Sequence, residues 1–209
     1  MRACLFLLLS LASSVPASLP AAPASVPPIM REWAEAQRHI GDIQVNFQQV
    51  RTVPALKEPV RSQGHFWRFA DGSFRWELGR PAATVLVHDS KVFRVREEPG
   101  APWKVLDEKD GRYRMWAQFL SGRDASPEQL AENFNLSVTG NTSEAVTVAL
   151  MPKPLVVRRY LKQVDLQIEP QSKRLLQLRI IQGDGSTVTM QFSPPKPVPA
   201  GAKDRLLAP

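Results

Sequence analysis

The main signal for the fold lies between Val60 and Arg96, where the sequence reads VRSQGHFWRFADGSFRWELGRPAATVLVHDSKVFRVR. Apolar and polar side chains alternate along its extended runs, which is typical of strands that bury one face. In chain order, the alternation predicts the strands Val60–Phe69, Phe74–Leu78, Thr84–His88 and Val92–Arg96. The polar breaks at Ala70–Ser73 and Asp89–Ser90 predict tight turns, so these strands form consecutive antiparallel hairpins.

The same period of two recurs on both sides of this stretch. It predicts further strands at Ile43–Val53, Pro102–Leu106, Leu136–Gly140, Ala145–Met151, Gln163–Glu169, Leu175–Gln182 and Ser186–Phe192. Many short antiparallel strands with few helices predict a mainly β fold with helices (α+β). The expected architecture is a curved antiparallel sheet or open barrel with the helices on one face.

Helical spacing is found in three segments. Trp33 belongs to an amphipathic run that Pro27 and Pro28 open and that continues to His39, with Gly41 after it. Trp116 lies on the apolar face of a second helix, between Tyr113 and Leu120. Ser126 and Gln129 form a capping box with Pro127 at the first helical position, which predicts a third helix.

Composition limits the class of protein. The 209 residues carry a net charge of +7, with 43% hydrophobic and 22% charged residues, which is typical of a folded globular chain. No apolar run long enough to span a bilayer follows residue 30, which excludes a multi-spanning membrane protein. The prolines cluster toward both ends, so we expect both ends to be extended and poorly packed.

The N-terminal segment has the pattern of a signal peptide. A positive start precedes the apolar run Leu5–Ala12, and small residues follow, so residues 1–24 are interpreted as a signal peptide cleaved near 17–24. The alternative interpretation is that this segment is an N-terminal anchor that is not cleaved from the chain. The only cysteine, Cys4, precedes the apolar run, so the mature chain has no thiol. These features favour the periplasm. We expect a domain over residues 25–195 and a Pro-rich tail over 196–209.

Motifs for catalysis and for metal binding are absent from the sequence. His39, His65 and His88 are too dispersed for a metal site, and no nucleophile elbow, phosphate loop or dinucleotide fingerprint occurs. The acidic residues near Gly111 lack the order of a calcium loop. We therefore expect no enzyme, no metal and no cofactor. The basic charge is interspersed with acids, which argues against nucleic acid and favours a solvated surface, or attraction to anionic membranes or acidic partners.

Aromatic residues crowd the region from Phe47 to Val95. The crowded set is Phe47, Phe66, Trp67, Phe69, Phe74, Trp76 and Phe93. They predict either a filled core of large side chains or an apolar groove on a half-closed sheet that a ligand completes. The pattern alone leaves both interpretations open.

The order of short motifs resembles the LolA family of outer-membrane lipoprotein carriers. These motifs are F-x-Q (Phe47–Gln49), S-x-G-x-F-W (Ser62–Trp67), G-S-F-R-W-E (Gly72–Glu77), Pro81 and V-L-V-x-D-S-K (Val85–Lys91). Looser matches follow at Leu150–Pro152, in the hairpin Gly183–Thr187 and at Phe192–Pro195.

This resemblance implies an unclosed antiparallel barrel with a helical lid over an apolar cavity. It implies a monomeric periplasmic carrier that shields the acyl chains of lipoproteins, or another lipid, for transfer to the outer membrane. An inner-membrane lipid-release transporter and an outer-membrane acceptor are the partners it implies. The alternative is a periplasmic sensor or regulator of the same fold class that detects lipoprotein or lipid.

The resemblance and strand parity together predict the site. Phe47, Phe66, Phe74 and Trp76 are expected to line or border the cavity, with Trp33 and Trp116 as candidate lid residues.

The family arginine that helps to hold the lid is missing at Ala70. Arg68 has the same parity and is expected to link the wall to carbonyl groups at a helix C-terminus. The alternative is that the strand is bulged and Arg68 faces water.

Overall fold

One antiparallel sheet organises the protein in the computed structural model, which describes residues 26–89, 92–106 and 126–208. Within these residues the helices are α1 (Pro28–Arg38), α2 (Pro127–Asn133), α3 (Leu155–Arg158) and α4 (Lys203–Leu207). The first six strands are β1 (Ile43–Thr52), β2 (Val60–Arg68), β3 (Phe74–Leu78), β4 (Thr84–His88), β5 (Phe93–Arg96) and β6 (Lys104–Leu106). The others are β7 (Phe134–Asn141), β8 (Val146–Pro152), β9 (Leu161–Ile168), β10 (Leu175–Gln182), β11 (Thr187–Phe192) and β12 (Lys196–Pro197).

The strand order explains why the sheet curves without closing. The main path runs β6-β5-β4-β3-β2-β1-β11-β10-β9-β8-β7, so consecutive hairpins account for every neighbour on it except β1 and β11, and β12 pairs with β1 off this path. Where β1 pairs with β11, Phe47 lies opposite Phe192. The described sheet ends at β6 and β7, which do not pair with each other. The predicted mainly β, unclosed barrel is therefore confirmed.

Local sequence signals correctly predict the starts of α1 and α2. Pro28 opens α1, which ends at Arg38, and Met30 and Ala34 are buried on its inner face. The capping box at α2 is formed, because the amide of Gln129 donates to Ser126 Oγ at 3.0 Å. The predicted helix between Tyr113 and Leu120 lies outside the described residues.

The C-terminal segment contacts the sheet, and the prediction of an extended tail is wrong for Lys203–Leu207, which form α4, although most of residues 196–208 are exposed. Strand β12 pairs with the start of β1, where Pro197 lies opposite Ile43. Arg75 on β3 donates to the carbonyl oxygen of Leu206 at 2.9 Å. Lys203 also pairs with Asp71 at 2.6 Å. These contacts use groups that are remote in sequence, and short-range pattern therefore does not reveal them.

Helices long and apolar enough to cross a bilayer do not occur in the described ranges.

Candidate apolar binding cavity

A cavity of about 440 Å³ lies between α1 and the concave face of the sheet. Its walls come from six strands that are neighbours in the sheet, from β3 through β2, β1, β11 and β10 to β9. The first wall carries Ile43, Val45, Phe66 and Trp76, and the second carries Leu178, Ile180, Met190 and Phe192. The cavity size is within the range of small-ligand sites, roughly 300–1,000 Å³, and its lining is mainly apolar.

Strand register places these side chains on one face. Phe66 on β2 lies opposite both Val45 on β1 and Trp76 on β3. Across the sheet, Leu178 on β10 lies opposite Met190 on β11. Because side chains directly opposite each other in an antiparallel pair point to the same face, these residues form a continuous apolar surface.

An aromatic cluster lies beside the first wall, on the same face of the sheet. Phe47 stacks on Trp76 with ring centroids 5.6 Å apart, and Phe74 tilts against Phe66 at 5.8 Å. Phe47 and Phe74 are buried and are not among the residues that line the cavity. Of the four residues predicted to line or border the cavity, Phe66 and Trp76 line the space, and Phe47 and Phe74 pack beside them on the same face of the sheet.

The open side of the cavity is covered by α1 and the turn that follows it, which we call the lid. Trp33, Gln37 and Ile40 of the lid line the cavity. Trp33 is buried, and its indole Nε1 has no hydrogen-bond partner among the described residues. The structure thus places one predicted lid residue, Trp33, at the cavity. The other, Trp116, lies outside the described residues.

Arg68 joins the first wall to the lid. Its side chain is only 5% exposed, and its guanidinium donates to Gln37 Oε1 at 3.1 Å, to the Gln37 carbonyl oxygen and to the Ile40 carbonyl oxygen at 3.4 Å. Gln37 lies in the last turn of α1 and Ile40 just after it, at the end of the helix where carbonyl groups lack helical partners and the helix dipole is negative. The predicted contact between Arg68 and helix C-terminal carbonyls is present.

The alternative prediction, in which a bulge in the strand turns Arg68 toward water, is wrong. The pairing of β2 with β1 and β3 is continuous at this point, with Arg68 opposite both Ile43 and Phe74. No bulge therefore turns the side chain toward water. Burial of a guanidinium is costly unless it is hydrogen-bonded, and the lid carbonyls supply those bonds.

In addition to the contact with Arg68, two ion pairs attach α1 to neighbouring elements. Lys173, in the turn between β9 and β10, pairs with Glu32 at 2.5 Å and so ties α1 to the second wall. Arg31 pairs with Glu128 of α2 at 2.9 Å. The hydrogen bond from Arg31 lowers the pKa of Glu128. The lid is therefore attached to both walls and to α2.

Sequence reasoning missed the second wall and the polar rim beside it. The rim consists of Glu169, Ser172, Lys173 and Arg174. Alternation along β10 and β11 shows which residues share a face, but it does not show that β11 lies beside β1. The pairing of β1 with β11 is the step that brings the two walls together.

Comparisons with known proteins agree with this fold. Residues 38–205 match the family model described as outer membrane lipoprotein carrier protein LolA. No curated protein is significantly similar to the sequence. A solved structure of an uncharacterized conserved protein from Thermus thermophilus has a TM-score of 0.54 at 10% identity, covering 86% of this chain and 91% of that one.

Two further solved structures are more distant. A LolA superfamily protein from Nitrosomonas europaea has a TM-score of 0.43 at 14% identity, over 86% of this chain and 96% of that chain. A chain from the Pseudomonas aeruginosa MucA/MucB complex has a TM-score of 0.41 at 18% identity, and the match covers 86% of this chain but only 61% of that one. The family match extends from the end of α1 into α4, and the protein therefore belongs to the LolA family of outer membrane lipoprotein carrier proteins.

Proposed function

We propose that the protein is a periplasmic carrier that shelters the acyl chains of lipoproteins, or of another lipid, in the apolar cavity and delivers them toward the outer membrane. The observation that carries this proposal is the cavity itself, which has apolar walls on six strands and a lid attached through Arg68. A donor in the inner membrane and an acceptor at the outer membrane are the partners that such a carrier requires.

The physical chemistry of an acyl chain calls for such a shelter. Each buried CH₂ contributes about 0.8 kcal/mol, so a palmitoyl chain of about 16 carbons gains on the order of 12 kcal/mol on leaving water. Wall residues such as Phe66 and Ile180 supply the apolar contact. The process is transfer of the cargo alone, and no covalent bond is made or broken. The carrier therefore needs a lid that opens, and it needs no nucleophile.

Arg68 gives the empty carrier a closed resting state. The bonds from Arg68 to Gln37 and Ile40 form only when α1 lies over the walls. Entry of cargo has to displace these bonds, and departure of cargo restores them. Release is then helped by the return of a buried guanidinium to its carbonyl acceptors.

A direct test uses neighbouring residues on opposite faces of β10. Ile180 lines the cavity, whereas Arg179 is exposed on the outer face. The measured quantity is transfer of a palmitoylated, pyrene-labelled peptide from donor to acceptor vesicles. Ile180→Trp fills the cavity and should abolish transfer, whereas Arg179→Trp should leave it unchanged. Equal transfer by the wild type and Ile180→Trp would contradict a cavity-based carrier.

A further inference from the structure

An exposed apolar turn lies at the end of the sheet away from the polar rim. Helix α3 connects β8 to β9, and Leu155, Val156 and Tyr160 in this connection are 75%, 69% and 74% exposed. None of the residues of α3 is buried. We call residues 152–162 the α3 loop. Exposure of so many large apolar groups within one short turn marks an interaction surface.

Positive charges surround these apolar side chains. The α3 loop contains Lys153, Arg158, Arg159 and Lys162, and the sequence has no Asp or Glu between residues 145 and 164. The whole chain carries +7, so the loop adds a local excess of positive charge to a basic protein. Its complement is a negatively charged surface that also accepts apolar side chains.

The backbone of the α3 loop is anchored to its neighbours. The amide of Lys153 donates to the carbonyl oxygen of Asn133 at 2.8 Å, and Gly183 donates to that of Tyr160 at 2.9 Å. Arg158 Nε donates to the Pro152 carbonyl oxygen at 2.6 Å. A side chain at position 183 has no space, because its Cβ would come within 1.7 Å of the Arg159 carbonyl oxygen. The fold therefore holds the loop in place with its apolar side chains outward.

We propose that the α3 loop docks on an anionic membrane, with Leu155, Val156 and Tyr160 entering the boundary between headgroups and acyl chains. Lys and Arg next to that boundary pair with lipid phosphates, and each strengthens attachment to an anionic surface. Tyrosine favours this boundary because its ring is apolar and its hydroxyl stays wet. A stable protein interface needs about 800 Å² from each partner, which is more than one short turn offers.

This docking surface is separate from the cavity, and no residue of the α3 loop lines the cavity wall. Binding of an acyl probe therefore reports on the cavity, and membrane docking reports on the α3 loop. Docking through the α3 loop brings the carrier to a membrane and leaves the contacts of Arg68 with the lid intact.

The test places a fluorophore on the α3 loop. The only cysteine is replaced by Cys4→Ser, and Val156→Cys or, as a matched control, Val105→Cys is labelled with NBD. Val105 lies on β6, far from the α3 loop in sequence, and is 66% exposed. On vesicles of phosphatidylcholine with about 30% phosphatidylglycerol, the NBD emission at 156 should shift to the blue and intensify. The label at 105 should not respond, and neither label should respond on phosphatidylcholine alone.

Charge variants complete the test. Adding Arg159→Gln and Lys162→Gln should lower partitioning to the anionic vesicles by roughly tenfold or more, and raised salt should have the same effect. A label at 156 that stays in water on both vesicle types overturns the proposal and leaves a protein partner as the occupant of this surface. An equal response at 105 also overturns it, since the response then does not arise from the α3 loop.

Discussion

Arg68 and Gln37 are joined twice, since the guanidinium donates to both the side-chain oxygen and the main-chain oxygen of the same glutamine. The two residues come from β2 and from the last turn of α1, so their contact crosses the mouth of the cavity. Opening of the lid has to break both bonds at once. This relationship makes the C-terminal end of α1 the part of the lid that responds most to a change at Arg68.

Arg68→Leu should loosen the lid and leave the barrel folded. The substitution removes the hydrogen bonds to Gln37 and Ile40 and leaves their oxygen atoms without this donor, so we expect a loss of about 2 kcal/mol in the free energy of unfolding. Hydrogen exchange of the amides from Trp33 to Ile40 should become roughly tenfold faster or more. Arg61→Leu, on the exposed part of the same strand, is the control and should not change this exchange. Unchanged protection of α1 in Arg68→Leu would show that Arg68 does not hold the lid.

Substitutions of Phe66 and of Phe74 should have different effects on ligand binding and on stability. Phe74 is fully buried among Phe66, His88 and Phe93, so Phe74→Ser should cost at least about 3 kcal/mol of unfolding free energy. Phe66 lines the cavity, so Phe66→Ser should weaken binding of a fluorescent fatty acid and cost less stability. Urea denaturation and probe titration measure the two effects. The wall assignment fails if Phe66→Ser loses as much stability as Phe74→Ser and retains full binding.

Trp33→Phe should change ligand preference. The indole Nε1 is buried with no partner in the described part of the chain, so its removal should change the unfolding free energy by less than about 1 kcal/mol. An ester oxygen of a ligand can accept this hydrogen bond, so affinity for methyl palmitate should fall roughly fivefold. Affinity for hexadecane, which has no acceptor, is the control and should stay the same. Equal losses for both ligands would mean that Trp33 contributes only apolar contact.

Gly64 should be intolerant of a side chain. A Cβ there would come within 2.1 Å of Phe47 Cζ and 2.5 Å of the Glu77 carbonyl oxygen. Gly64→Ala should therefore cost about 1–3 kcal/mol, measured by urea denaturation, because the ring and the backbone have to shift. Gly41 has open space around it, and Gly41→Ala should be nearly neutral. Equal stability of the two variants would contradict the close packing of Phe47 over β2.

Lowering the pH toward 2 should weaken the attachment of α4 to the turn between β2 and β3, where Asp71 lies. Burial raises the pKa of Asp71, but the hydrogen bonds from Lys203 and Ser73 outweigh it and lower the pKa to about 2 from an ordinary value of 3.8. The folded-state pKa lies below the unfolded one, so the stabilisation is complete above about pH 4 and is lost as the pH falls toward 2. The Asp71 side chain is 47% exposed, so screening limits the effect to about 1 kcal/mol. Lys203→Met should flatten this part of the pH–stability curve, and an unchanged curve would contradict the assignment.

The sequence predicts local elements well because their signals are local. The bounds predicted for β3, β4 and β10 agree with the structure, and the capping box marks α2 correctly. The S-x-G-x-F-W motif also has a physical explanation, since Gly64 makes room for the ring of Phe47.

The remaining features depend on contacts between distant residues. Helix α3 has only one turn, so periodicity cannot reveal it, and β12 contains a proline in a two-residue edge strand. The cavity needs β11 beside β1, and nothing in either strand specifies that neighbour. For this reason the sequence predicts Phe66 and Trp76 on the first wall but misses the second wall. Phe47 and Phe74, which the sequence places at the cavity or at its border, pack against Trp76 and Phe66 beside the first wall.

Native mass spectrometry of the protein recovered from the periplasm of an expressing bacterium shows whether the cavity holds acyl chains in the cell. The wild type should carry a non-covalent mass that fragments to acyl chains. Arg179→Trp should carry the same mass, and Ile180→Trp should lose it, because only Ile180 faces the cavity. A wild-type protein that is recovered empty and also excludes added palmitate would contradict the account.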